Sequence, residues 1–487
     1  MDSTVLTPAE HRSGQVTRGL LTMSGIGMWE RFSFYGTQVV LLYYLYFSVE
    51  EGGLGLQPAE AVAIVGTYGA LVYCFTIVGA WVSDRLLGPE RTVFVSAIGI
   101  MLGHLALAVL PGTAGLIVGL GLLVIGTGGT ISNMPSSVGL LYENDDKRRD
   151  AGFMLFYMGL NIGALGGPLL TGLLRKEMGF HVAFGAAAVG MAIGLIVYTV
   201  GRNSLSPEGL RVPNPLPRGN AMSRLLAVAG LAALVVIAVV SHRLTPTNLP
   251  NVTAVAVAVI SAGVFATMLR SPKTTTAERR RVTALIPLYL ASALFFALYQ
   301  QQFTVVQVYV ASRVDLELLG MTLPPEFFNS VVPAFVIILA PLYARWWTMD
   351  ETRQPSAPTK FLLGLIGISV AFFCFLPLAD QHGPTVSPLA ILGILFLFTI
   401  SELFVAPVQL STATKLAPIH YQTQTVGLMF LSIAFGSSLG GIAGKSYSPT
   451  NETDYFLTVG ALAFLGALVF AASIPWIKRT IAENSGR

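Results

Sequence analysis

Four ionisable residues stand inside otherwise apolar stretches: Glu30 and Arg31 in the first, His104 in the third, and Glu402 late in the chain. A charge within hydrocarbon is costly, so each is a functional residue by default, able to carry a proton or to hold an oppositely charged group. Glu30 and Arg31 are neighbours and project about 100° apart on a helix. They cannot simply neutralise each other face to face, so each should find a partner on another helix or in a wet cavity. Glu402, the one acid expected in the spans of the second half, needs the same. A central polar cavity would serve all three. His104, alone on an apolar helix, is expected to pack as a neutral histidine.

The elements that must position these groups follow from composition. The 487 residues include 29 Lys/Arg and 25 Asp/Glu, so 11% are charged, where a soluble chain carries roughly 25%. Hydrophobic residues reach 53% and the mean hydropathy is +0.68. This excludes an ordinary cytosolic enzyme and a disordered chain. A net charge of +4, dispersed along the chain, is no nucleic-acid footprint. Cys74 and Cys374 form neither a metal spacing nor a disulfide framework.

Windows of about 20 apolar residues cross a bilayer as helix. Fourteen are expected, from 23–47 to 456–477, with both termini cytoplasmic because 23 of the 29 Lys and Arg then fall on the cytoplasmic side. The polar residues 1–20 carry no short apolar signal region. The runs are continuous rather than alternating, which excludes a barrel. Pro/Gly/Ser-rich residues near 203–220 and basic residues near 271–282 read as linkers. They bracket a charge-free pair of windows, 222–241 and 252–269, expected to be a lipid-facing hairpin. The expected organisation is therefore all-α and polytopic: a six-helix bundle at 1–205, a linker and hairpin at 206–275, and a second six-helix bundle at 276–487.

The stretch Gly79-Ala80-Trp81-Val82-Ser83-Asp84-Arg85-Leu86-Leu87-Gly88-Pro89-Glu90-Arg91 resembles the cytoplasmic signature of the major facilitator superfamily. Its glycines allow a tight turn and close helix approach, and its charges can latch helix ends. Trp29-Glu30-Arg31-Phe32-Ser33-Phe34-Tyr35-Gly36 looks like the E-x-x-E-R-F-x-Y-Y-G segment of the proton-dependent oligopeptide transporter (POT/PTR) family. Gly126-Thr127-Gly128 with Asn133, then Arg148-Arg149-Asp150-Ala151-Gly152 with Phe156, Tyr157, Asn161 and Gly163, are similar to its fourth- and fifth-helix signatures. Ser401-Glu402-Leu403-Phe404, Pro407 and Lys415-Leu416-Ala417-Pro418 resemble its tenth helix.

The resemblance implies alternating-access uptake of di- and tripeptides at the cell membrane, driven by the proton gradient, by a functional monomer without cofactor or metal. It implies substrate contacts at Tyr35, Gln38, Tyr68, Asn161, Gln300 and Glu402, proton coupling at Glu30, Arg31 and Glu402, and a gating loop of Gly79, Asp84, Arg85, Gly88 and Arg91. The departures are specific. The family's first motif Glu falls on Gly27, its fourth-helix Lys on Ile131, its first-helix Arg on Gln38, its seventh-helix Glu on Gln300 and its eighth-helix Asn on Val332. The Arg and Glu, thought to pair in the family, are lost together. Losing both members of a buried ion pair can be neutral, where losing one costs about 3–5 kcal/mol. A rival expectation follows: a divergent member moving a non-peptide or weakly charged solute with weak or no proton coupling.

Three local matches carry no chemistry. Gly436-Ser437-Ser438-Leu439-Gly440 fits G-x-S-x-G, but in an apolar helix and not at a strand–turn–helix elbow. Gly126-Thr127-Gly128 lacks the rest of a dinucleotide fingerprint. Asn451-Glu452-Thr453 is a glycosylation sequon only where a cell glycosylates.

Overall fold

The computed structural model describes residues 8–142, 148–213, 215, 245–318, 320–347, 354–380 and 383–482. Helices account for nearly all of it. They are α1 (Pro8–Tyr46), α2 (Pro58–Val82), α3 (Pro89–Val109), α4 (Gly112–Gly139), α5 (Arg149–Met178), α6 (Phe180–Gly201) and α7 (Leu249–Arg270). The series continues with α8 (Thr276–Tyr299), α9 (Val305–Arg313), α10 (Val331–Trp347), α11 (Ala357–Phe373), α12 (Pro388–Leu416), α13 (Gln422–Gly444) and α14 (Glu452–Ala482). Among the described residues one two-stranded ribbon, Glu317–Leu318 against Met321–Thr322, decorates a loop.

Twelve spans among the described residues are long and apolar enough to cross a membrane. Fourteen were expected. α1 is long enough at 39 residues but is diluted by Glu30, Arg31 and Gln38, and the expected helix at 222–241 lies outside the described residues.

The chain forms two compact units: residues 1–40 with 75–245, and residues 41–74 with 246–487. α1 and α2 therefore each contribute to both. In the first unit, glycines set the helix spacing. A Cβ on Gly79 would lie 2.6 Å from the Gly128 carbonyl oxygen and from Gly129 Cα, so α2 and α4 cross backbone to backbone. Asn133 fastens the crossing, its amide donating to Gly79 O at 3.3 Å and Gly129 O at 2.9 Å. α2 then ends in a π-turn, Ser83–Leu87, closed by Gly88 at φ +80°. A side chain there would be strained and would also meet Arg211 O at 2.8 Å.

In the second unit α7 is docked rather than merely lipid-facing. Thr253, Val257, Ser261, Phe265 and Met268 are buried on one helical stripe, and Val252, Val255 and Val259 are exposed on another. Ser261 shares a 2.8 Å hydrogen bond with Tyr289 of α8, and Lys445 donates to Thr247 O at 2.9 Å.

One end of the second unit is tied by a single buried carboxylate. Glu452, at the start of α14, is fully buried. It accepts from Arg313 Nε (2.8 Å), the Tyr447 hydroxyl (3.1 Å) and the Asp380 backbone N–H (2.9 Å). Burial, then the adjacent carboxylate, pushes the Tyr447 phenol upward, so it stays a donor. Removing one member of a buried pair strands the other charge, at about 3–5 kcal/mol. Glu452→Ala should therefore lose monodisperse protein on heating at a clearly lower temperature than wild type. Glu452→Gln, which keeps an acceptor oxygen, should fall in between, and unchanged melting of both would show that the tie does not stabilise the unit.

Candidate functional site

The first unit gathers its polar groups on α1. Glu30 is fully buried. Its Oε1 accepts from the Thr130 hydroxyl of α4 at 3.4 Å, and its Oε2 lies 3.1 Å from Arg31 Nε. The expectation that these neighbours cannot neutralise each other is overturned. The long guanidinium stem swings back along the helix, crosses the 100° offset and also stacks over Phe34, 5.5 Å from the ring centroid. Thr130, one residue before Ile131, supplies the neutral donor on α4.

The surroundings of Gly27, where the resemblance would put the motif's first acid, leave no room for one. A Cβ at this position would lie 2.8 Å from Leu160 Cδ2 and 3.1 Å from Phe156 Cε2, both on α5. The helix has closed over the site with apolar side chains.

His104 is buried as expected, and its Nδ1 lies 3.0 Å from the Thr37 hydroxyl of α1. Thr and His each have a donor–acceptor oxygen or nitrogen to share, and α1 and α3 approach closely enough for both. The next residue, Gln38, is buried with its Oε1 unpartnered. Tyr35 is half-buried, its ring edge-on to Phe34 with centroids 5.3 Å apart. Asn161 is half-buried and donates Nδ2 to Tyr157 O within its own helix at 2.9 Å.

The loop residues divide by role. Gly79 and Gly88 set the crossing and the turn described above. Asp84 and Arg85 lie half-buried in the π-turn, and Arg91 is exposed. The latch itself is Glu90, which sequence reasoning passed over. It is buried and binds Arg202 at the end of α6 through both oxygens, Oε2 to Nη2 at 3.1 Å. Tyr198 donates to the Glu90 carbonyl at 2.9 Å, and Arg202 lies over Phe94 at 5.4 Å. A bidentate arginine–carboxylate pair is the strong form of this contact.

In the second unit the decisive feature is a break. α8 ends at Tyr299, residues Gln300–Phe303 form a 3₁₀ turn, and Thr304 leaves helical geometry at φ −131°, ψ −95° before α9 resumes. Three glutamine amides serve the carbonyls around the break: Gln301 donates to Ala297 O (3.2 Å), Gln302 to Tyr299 O (3.2 Å) and Gln307 to Gln302 O (2.9 Å). Two of the acceptor oxygens are engaged by tyrosines, Tyr455 on Gln301 at 2.6 Å and Tyr43 on Gln307 at 3.0 Å. Gln300 is half-buried. Glu402 on α12 reaches this break through Tyr299, whose hydroxyl hydrogen-bonds its carboxylate, while its Oε2 is shielded and unpartnered. Tyr68 is buried.

Glu402 is not the only acid in the spans of this half. Glu326 opens the span Pro325–Trp346 and is fully buried. One 3₁₀ turn later, Asn329 is 2% exposed with both amide atoms unpartnered. Residues i and i+3 eclipse in a 3₁₀ helix, so the two share a face. Both sit at a span edge, where hydropathy alone does not tell a buried polar residue from a solvated one. Asn329 could have been found as the polar residue one turn before Val332.

Residues 90–456 match the sequence model of the POT family. The chain is 39% identical over 468 residues, 95% of each chain, to an uncharacterised transporter of Bacillus subtilis. It is 36% identical over 480 residues to a di-/tripeptide transporter of Lactococcus lactis subsp. cremoris, spanning 95% of this chain and 96% of that one. Its fold matches the crystal structure of a POT peptide transporter variant in complex with alafosfalin, at a TM-score of 0.88 and 41% identity over 95% of each chain.

The packing at Gly27 makes a prediction independent of activity. Gly27→Ala should be tolerated, since the far ends of Leu160 and Phe156 can yield a few tenths of an ångström. Gly27→Glu should destabilise by about 1–3 kcal/mol through overpacking alone, read as a lowered melting temperature in detergent. Equal melting of the two variants would mean that α5 gives way freely.

Proposed function

The chain belongs to the POT family, and from that membership we propose that it is a secondary transporter taking up di- and tripeptides by alternating access. It is a multi-pass membrane transporter with the major facilitator fold. The observation that carries the substrate class is the near full-length similarity to a di-/tripeptide transporter. In this reading residues 1–205 and 276–487 are the two six-helix halves and 206–275 the inserted hairpin. The transporter acts as a monomer in the plasma membrane with both termini cytoplasmic.

The charge distribution of the second unit supports that orientation. One end carries Arg270, Lys273, Arg279, Arg280, Arg281 and Lys415 against Glu278, and the opposite end carries Asp315, Glu317, Asp380, Glu452 and Asp454 against Arg313 and Lys445. Basic ends face the cytoplasm.

Glu402 receives the substrate's ammonium group. It is an acid with one oxygen held by Tyr299 and the other unpartnered, which leaves an acceptor for a charged donor. Tyr35, Tyr68, Gln38, Asn161 and Gln300 supply neutral hydrogen bonds to peptide groups. Coupling to protons falls to Glu30, with Arg31, and to Glu402, because Gly27 and Gln300 cannot titrate.

Two experiments test this reading. Purified protein in liposomes should accumulate di- and tripeptides, faster with an acidic exterior, but with a shallower pH dependence than relatives that retain the seventh-helix acid. Absence of accumulation under any gradient would overturn the transport reading. Glu402→Gln should lower uptake of free-amine peptides by roughly tenfold or more, as expected for losing a charge-assisted contact of about 1.5–3 kcal/mol. It should affect N-acetylated peptides less. Equal loss for both would assign Glu402 to protons or gating instead of the amine.

A further inference from the structure

The small residues of α13, from Gly436 to Gly444, bring several helices of the second unit together. A Cβ on Gly436 would lie 2.5 Å from Ala293 O, and one on Gly440 would lie 2.6 Å from Ala297 O, so α8 runs backbone to backbone along one side. A Cβ on Gly441 would lie 3.5 Å from Gly66 Cα of α2 and 3.5 Å from Pro250 Cβ of α7. Gly444 faces Val62 of α2 and, at 3.2 Å, Val305, the residue at which α9 resumes.

The two contacts of Gly441 differ in kind. On the α2 side there is no slack: a Cβ on Gly66 would lie 2.9 Å from Gly441 Cα and 3.3 Å from its N. Val62, Gly66 and Gly69 of α2 meet Gly444, Gly441 and Ser437 in turn, and the Ser437 hydroxyl is buried without a partner. These are van der Waals contacts, which part without breaking a hydrogen bond.

On the α7 side the join is tied. Lys445, which caps the end of α13, donates to Thr247 O at 2.9 Å and to Asn251 Oδ1 at 3.3 Å, around the start of α7. Further along, Tyr289 of α8 bonds Ser261 of α7 at 2.8 Å and Leu431 O of α13 at 3.4 Å. Near the far end the Thr425 hydroxyl of α13 lies 3.9 Å from Met268 Sδ of α7. Gly441 therefore sits between a helix that can leave and a helix that is fastened.

We propose that α7, the second helix of the inserted hairpin, is a buttress for the outer gate. It fixes α13 in the position against which the outer half of α2 closes, and so sets how readily the transporter opens outward. This rests on the transport reading, in which the Gly444 end of α13 faces outward and α2 must leave it for substrate to enter. Without the hold of α7, α13 drifts back, the close contact with α2 is lost and the closed form loses population.

The test is a distance, measured without substrate by double electron–electron resonance on protein in liposomes. Spin labels are carried by Gln57→Cys, just before α2, and Asp454→Cys, in the first turn of α14, both exposed positions. Cys74→Ser and Cys374→Ser remove the native thiols. Lys445→Met, which cuts the tie, should raise the population of separated labels about fivefold, the weight of one hydrogen bond given up. Pro250→Gly, which removes the ring behind Gly441, should move it in the same direction and carries the test should Lys445→Met misfold. Lys445→Arg, which keeps the charge and its donors, should return the wild-type distribution. Unchanged distances in folded Lys445→Met and Pro250→Gly, with or without a lowered melting temperature, would make α7 a structural appendage and overturn the proposal. Separation in Lys445→Arg equal to that in Lys445→Met would overturn it as well. Peptide uptake by the same preparations keeps the two readings apart: predicted distances without uptake would sink the transport reading and leave the buttress standing, and wild-type uptake with unmoved distances would do the reverse.

Discussion

In hydrocarbon, every backbone group freed from a helix must find its partner within the protein. The rest of the second unit is arranged around that constraint at one place, the interruption between Tyr299 and Val305. Such interruptions are tolerated only where side chains replace the missing helical bonds. Here Gln301, Gln302 and Gln307 do so, and two tyrosines from other helices donate to the amide oxygens of Gln301 and Gln307. Tyr299, the last regular residue of α8 before the interruption, hydrogen-bonds Glu402, so the acid lies beside the break.

The first unit solves a similar problem with glycine instead of glutamine. Where Gly79 meets Gly128 and Gly129 there is no side chain to separate the helices, and Asn133 bridges carbonyls on both. At Gly27 the absence of a side chain lets α5 cover α1, so the loss of one acid is accompanied by a dry wall of Leu160 and Phe156. The charge that remains, Glu30, is stabilised by its sequence neighbour and by a threonine.

Much of this was legible in the sequence. Long apolar runs fix the helices because nothing else satisfies a backbone in lipid, and the Gly, Asp and Arg pattern at 79–91 marks a tight interhelical turn. The positions departing from the family pattern were visible one by one. What escaped was whatever depends on three-dimensional reach. Arg31 folds back onto Glu30 because its side chain is longer than the offset that the helical wheel describes. Glu90 was read as one charge in a loop, yet its partner Arg202 is 112 residues away. Glu326 and Asn329 lie where an apolar run begins, and hydropathy alone cannot tell a solvated edge from a buried one. The helix at 249–270 looked featureless because the two hydroxyls that dock it, on Ser261 and Tyr289, are uncharged.

The glutamine-served break has a consequence for how acid acts on this protein. Amides neither gain nor lose protons across the biological range, so every hydrogen bond that maintains the bend persists whatever the state of the carboxylate beside it. Shape and charge are thereby decoupled: the bend is a scaffold whose amide hydrogen bonds do not depend on the charge state of Glu402. A seventh-helix acid within the bend would have tied the two together, so that each proton also redrew the scaffold.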